Sequence, residues 1–389
     1  MLRLEPRPEP SRRMLALTPF AAVLLTMLAG GFLFASLGTN PLDAIRVFFW
    51  DPLFDSTVAS YTRPQLLVKA APLIIIALGL SFGFRAGIWN IGAEGQFIMG
   101  AIVGGSAGLA VYPAEGVWVF PMMVAAGALG GLLWAMIPAI LKIRFNANEI
   151  LVSLMLVYVA FNILAGLVTG RLRDPDGFNW PESRNFQAYP SAHNAELFAG
   201  TGVHVGVIVM AVLVLLCHLV LRNHIFGFHV RLAGQSRQAA RFAGINPHVL
   251  TALCLGLSGA FAGLAGLFEL AGPAGKLSTN FPLGYGFTAI IVAFLGRLHP
   301  IGILLAGLLM ALTYIGGELA QFMLNVPAAA VQVFQGMLLF FLLAVDFLVN
   351  YRIRVRLRPP EDTGAAPGTE TRGDTVNGPG PGKSGEEPA

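Results

Sequence analysis

Charge is what this chain has least of. Asp, Glu, Lys and Arg make up 12% of its 389 residues, about half the ~25% of an ordinary soluble domain. That deficit, with 55% hydrophobic residues and a mean hydropathy of +0.69, excludes a water-soluble globular fold and places the chain among polytopic membrane proteins. Cysteine is nearly absent too. Cys217 and Cys254 both lie inside apolar runs, where they read as small buried hydrophobes rather than a disulfide or metal pair. Catalytic signatures are missing: there is no H-E-x-x-H, no G-x-S-x-G and no Cys/His cluster at metal spacing. The net charge of +4 is scattered over loops, so nucleic acid is set aside as a partner.

What the sequence does hold is apolar runs near the ~20 residues that span a bilayer. About ten are expected: 14–37, 66–84, 90–112, 117–141, 149–170, 203–221, 249–270, 285–295, 301–319 and 328–349. The 46 glycines suit such spans, because small residues let helix backbones approach closely. If the loops alternate sides, sixteen Lys and Arg fall on one side, from Arg3 to Arg358. Six fall on the other: Arg46, Arg63, Arg171, Arg173, Arg184 and Lys276. The positive-inside rule then predicts an all-α membrane protein with both termini in the cytoplasm. Residues 1–13 form a cytoplasmic N-terminal segment, 14–350 the transmembrane domain, and 351–389 a tail that is basic and then disordered. Within the tail, Gly378 to Ser384 reads GPGPGKS but lacks the leading glycine and the strand–helix setting of a phosphate-binding loop.

Two polar stretches interrupt the apolar pattern. The first, Gly87 to Gln96, reads GIWNIGAEGQ and predicts irregular backbone held against protein or a water-filled cavity. Within it Asn90, Glu94 and Gln96 are candidates for a translocation path. So are Asn148, Glu149 and Asn162 on the helix beginning near 149. The competing expectations are structural: Glu94 paired with Arg85 or Lys142, and Asn146 or Asn148 capping a helix that Glu149 favours through the dipole. Glu269 and Glu318, near outer helix ends, are expected to reach water.

The second stretch is a basic island, Arg231 to Asn246, inside the 222–248 loop. Ser236 is placed to cap a short helix over Arg237–Ala243 that Gly244 ends, ahead of Asn246-Pro247. Arg237 and Arg241 share a side at i and i+4, and Ala239 with Ala240 offers a flat face. Such a helix suits docking, and it equally suits a loop resting on lipid headgroups.

The string Gln238-Ala239-Ala240-Arg241-Phe242-Ala243-Gly244 resembles the EAA-x-x-x-G coupling segment of ABC importer permeases, with Gln238 in place of Glu. Gly87 to Gln96 resembles the G-x-x-N-I-G-x-E-G-Q segment of the nucleoside, sugar-like branch of the branched-chain amino acid, simple-sugar and nucleoside permeases. The stretch from Gly286 to Gly302 and Asn148-Glu149-Ile150 are similar to further segments of that family. The resemblance implies a permease subunit in a bacterial cell (inner) membrane, importing a nucleoside or simple sugar by alternating access. It implies a cytoplasmic ABC ATPase subunit docking on Gly234, Arg237, Gln238, Ala239, Ala240, Arg241, Ala243 and Gly244. It further implies a second permease subunit, different or identical, and a periplasmic or lipid-anchored solute-binding protein. ATP would be used by the partners, and this chain would carry no cofactor or metal of its own. The rival expectation is an ion-coupled secondary transporter with Glu94 as the coupling group.

Overall fold

The structure, a computed structural model, describes residues 2–6, 12–281 and 284–355. In chain order its elements are β1 (Leu2–Pro6), α1 (Arg12–Ser36), α2 (Pro41–Ile45), α3 (Asp51–Phe54), α4 (Ala59–Arg85), α5 (Ala93–Ala110), α6 (Val119–Phe145), α7 (Glu149–Thr169), α8 (Val205–Asn223), α9 (Ile225–Gln235), α10 (Arg237–Phe242), α11 (Pro247–Glu269), α12 (Tyr285–Leu295), α13 (Pro300–Leu324), α14 (Ala328–Asn350) and β2 (Tyr351–Val355). Among the described residues six helices, α4, α6, α7, α8, α11 and α13, are long and apolar enough to cross a membrane. α5 is 18 residues long and carries Glu94 and Gln96. α12 is shorter still, with 11 residues.

The all-helical expectation needs one amendment. β1 pairs antiparallel with β2, Leu2 opposite Val355 and Pro6 opposite Tyr351. The two ends of the described chain therefore lie side by side. The segment between the first two expected spans, 14–37 and 66–84, is also more ordered than a loop. Asn40 caps α2 through the Leu42 N–H at 3.0 Å, with Pro41 at the first helical position. A π turn over Arg46–Trp50 then leads into α3. Phe48 of that turn packs its ring at a tilt against Phe34 and Phe334, at centroid distances of 5.4 and 4.7 Å, and so fastens the segment to α1 and α14.

α4 is the central helix: 83% of its apolar window is buried, against 22% for α7 and 28% for α8. The last two therefore lie at the rim, facing lipid or another subunit. Around α4 the packing is built from close backbone contacts, since lipid tails are as apolar as leucine and supply no hydrophobic drive between helices. The tightest of these joins α5, α6 and α11. A Cβ on Gly263 of α11 would run into the Gly127 carbonyl oxygen of α6 and stand 2.9 Å from the Gly131 Cα.

Gly263→Ala should therefore lower the thermal midpoint of the purified protein. Overpacking costs about 1–3 kcal/mol, which outweighs the ~1 kcal/mol that alanine gains in helix propensity. Gly166 on α7 meets nothing within 4 Å of its added Cβ. Gly166→Ala is the control and should leave the midpoint unchanged or raised.

Candidate functional site

The basic island folds as two helices where the sequence predicted one. α9 begins at His224, whose Nδ1 accepts the Phe226 N–H at 3.1 Å, and ends at Ser236. Ser236 in turn starts α10, its Oγ accepting the Ala239 N–H at 3.2 Å. At the far end the Ile245 N–H reaches the Ala240 carbonyl and the Gly244 N–H reaches that of Arg241, each at 3.0 Å. These are the paired bonds of a Schellman stop, and Gly244 adopts the left-handed φ of +77° that the stop requires. Buried Ala240 and Ile245 complete it as the hydrophobic pair.

The two alanines do not form one flat face. Adjacent helical residues point about 100° apart, and Ala240 turns inward at 5% exposure while Ala239 turns out. Gln238, Arg241, Ala243 and Gly244 are exposed as well, and Arg237 opens the helix. The outward apolar stripe is Ala239, Phe242 and Ala243, at i, i+3 and i+4. Phe242 is 92% exposed. It stands outside the coupling candidates expected from the sequence, although Arg241 and Ala243 on either side are among them. The signal was available, as the only aromatic of an otherwise small and polar helix.

Beneath α10 lies a shallow cleft whose walls include Ala86, Lys142, Asn146, Arg241 and His248. The island thus rests on the ends of α4, α6 and α11. α9 is held still closer. A Cβ on Gly234 would overlap the Arg85 carbonyl oxygen at the end of α4. The Arg85 guanidinium donates through Nε to the Leu298 carbonyl at 2.9 Å, in the turn between α12 and α13.

Behind Arg85 comes the GIWNIGAEGQ stretch, and the structure brings Asn90, Glu94 and Gln96 together there. The Asn90 and Gln96 amides bond reciprocally at 2.9 and 3.1 Å, and Asn90 Nδ2 also donates to Ser258 Oγ of α11 at 2.9 Å. Ser153 Oγ of α7 accepts the Ile91 N–H at 3.2 Å. Irregular backbone in an apolar setting needs such partners. Glu94 pairs with neither Arg85 nor Lys142. One carboxylate oxygen accepts the Gly284 N–H at 3.0 Å, the other the Gly286 N–H at 2.6 Å, so Glu94 caps α12. A helix N-terminus has unpaired N–H groups and a positive dipole end, and a carboxylate satisfies both. Gly286 lies against the backbone of Glu94 with no space for a Cβ.

The other path candidates lie elsewhere. Asn148 caps α7 through the Ile150 N–H at 3.0 Å. Glu149, buried beside it, pairs with Lys142. Asn162 is exposed on α7 and donates to the Tyr158 carbonyl of its own helix at 2.7 Å. Glu318 pairs with Lys69 at 3.2 Å. Glu269 is largely buried, at 4% exposure, because the chain continues helically past it through a π turn to Ala274.

Glu94→Gln removes one of the two acceptor oxygens and turns an NH2 toward a backbone donor. A loss of about 1–3 kcal/mol follows from an unsatisfied buried group, read as a lower thermal midpoint with membrane insertion unchanged. An unaltered midpoint would show that the cap contributes nothing.

Residues 63–343 match the family model described as the branched-chain amino acid transport system permease component. The chain is 34% identical to a glucose ABC transporter permease protein of Haloferax volcanii, over 91% of this chain and 94% of that one. It is 27% identical to a guanosine ABC transporter permease protein of Bacillus subtilis, over 84% and 92% of the two chains. It is 26% identical to a nucleoside ABC transporter permease protein of Lactococcus lactis, over 86% and 92%. These are multi-pass transport subunits without an ATPase site of their own, and the chain belongs with them, in the family of branched-chain amino acid transport system permease components.

Proposed function

We propose that the chain is the permease subunit of an ATP-driven importer in the bacterial cell (inner) membrane. It carries a neutral, hydroxyl-rich solute, a nucleoside or a simple sugar, by alternating access. The glucose, guanosine and nucleoside permeases named above support that solute class. Ten crossings with both ends in the cytoplasm fit the loop clusters. Residues 112–116, the 171–204 loop, 271–278 and the start of α4 gather at one end through bonds such as Tyr189 Oη to the Ala114 carbonyl (2.5 Å), Gln65 Nε2 to the Thr201 carbonyl (3.2 Å) and the Leu277 N–H to Ser183 Oγ (2.9 Å). Residues 85–91, 142–149, 222–248 and 296–300 gather at the other. Pairing of β1 with β2 supports an even number of crossings.

The observation that carries the reading is α10: a helix capped at both ends, seated on the ends of three long helices, and presenting Ala239, Phe242 and Ala243 outward. A cytoplasmic ATPase subunit would dock there. A second permease subunit, identical or related, would cover rim surface, and a periplasmic or lipid-anchored binding protein would deliver solute to the opposite end. The ion-coupled alternative is disfavoured because both Glu94 oxygens are already bonded to backbone N–H groups.

Changing the buried Ala240 or the left-handed Gly244 would damage the helix itself, so the test uses the outward stripe. Ala239→Arg with Phe242→Asp should leave insertion and thermal midpoint unchanged. ATP-driven uptake in proteoliposomes holding the partner subunits should fall at least about tenfold, the scale of one lost interface hot spot. Uptake at the original rate would refute docking on α10. Uptake driven by an ion gradient without ATPase subunits would refute the importer reading as a whole.

A further inference from the structure

At the end of the molecule opposite α10 is a cavity of about 430 Å³, within the roughly 300–1,000 Å³ of small-molecule sites. Tyr61 and Gln65 of α4, Gln187, His193, Asn194 and His204 line it. Three of its polar atoms are buried without any hydrogen-bond partner in the protein: His193 Nδ1, Asn194 Oδ1 and His204 Nε2. Among the described residues only the Trp134 indole nitrogen shares that condition. Buried polar groups are normally paired, and a cluster of unpaired ones on side chains that line one cavity marks a place where something else supplies the bonds.

The protein fixes what each atom offers. His204 caps α8: its Nδ1 accepts the Gly206 N–H at 3.1 Å, so the ring proton lies on Nε2. Asn194 Nδ2 stands 2.9 Å from that same Nδ1 and 3.5 Å from the Phe268 carbonyl, both acceptors, which leaves Oδ1 as the free acceptor. The site thus shows one donor and one acceptor from side chains 3% and 1% exposed. Burial, with His193 nearby as the second cause, holds His204 down to about 4, so it stays a neutral donor at physiological pH. No Lys, Arg or Asp lines the cavity, and the single carboxylate, Glu196, already accepts the Gly200 N–H at 2.8 Å.

We infer that this cavity is a receiving site for a neutral polyhydroxylated solute, held by the His204 Nε2–H and the Asn194 Oδ1. Adjacent hydroxyls match the pair, one accepting from His204 and its neighbour donating to Asn194. A zwitterionic amino acid would find no cation in the lining to take its carboxylate. The site rests on the proposed import reading for its role, as the first stop for solute released at the outer end. Its binding chemistry is independent of it.

The test is saturation-transfer NMR on the full chain in lipid nanodiscs with D-ribose, D-glucose and leucine as probes. At least one sugar should bind and leucine should not. His204→Asn keeps a helix-capping oxygen but deletes the Nε2–H, and Asn194→Leu deletes the Oδ1 acceptor while leaving the His204–Gly206 cap in place. Each should weaken sugar binding about five- to tenfold, the loss expected of one hydrogen bond. Thermal midpoints identify any variant that fails to fold. No sugar binding to the wild type, unchanged binding in both variants, or equal binding of leucine would overturn the site. ATP-driven uptake with the partner subunits separates the two readings. Uptake without sugar binding removes the pocket and spares the importer, whereas sugar binding without uptake removes the importer and spares the pocket.

Discussion

Two helix N-termini, those of α5 and α12, meet inside the protein, and the Glu94 carboxylate is what lets them meet. Each brings unpaired N–H groups into apolar surroundings, where an unsatisfied donor is expensive. Glu94, on the first turn of α5, takes two such donors from Gly284 and Gly286 across a gap with no room for side chains. The Asn90–Gln96 amide pair and Ser153 do the same for the break before α5. A glutamate inside a span is ordinarily suspected of moving ions or solute. Here its bonds make it first a fastener, joining the first half of the chain to the second.

Much of this was legible where the chemistry is local. The ends of α10, its Ser236 cap and its Gly244 stop are written in neighbouring residues, and the Asn148 cap of α7 likewise. The amphipathic α9 was hidden because its cap is His224, a residue seldom used there, and because its length is far short of a span. The partners of Glu94 were illegible for a different reason. They are backbone N–H groups some 190 residues away, and no side-chain pattern announces them. Sequence reasoning offered Arg85 and Lys142 because opposite charges are the partners a sequence displays. The same blindness covers the outer cavity, whose histidines share a pocket only because the 171–204 loop folds back over α4 and α11.

The distribution of close contacts also bears on how force applied to the island would travel. Gly234 of α9 sits directly on the Arg85 carbonyl, and the Arg85 side chain holds Leu298 in the turn after α12. α12 is held at its other end by Glu94, at the start of α5. Island, α4, α12 and α5 therefore form a chain of contacts, whose three links are backbone approaches or bonds to backbone groups. Such links have little slack, because close-packed interiors transmit strain rather than absorb it. On the proposed function, a push on α10 is passed to the end of α4 through the backbone contact of α9 at Gly234. It moves the end of α4 with the turn after α12, and the Glu94 junction either travels with them or opens. Because that junction is made of a few discrete hydrogen bonds, its two outcomes are distinct states, which is what a two-position transporter needs at its centre.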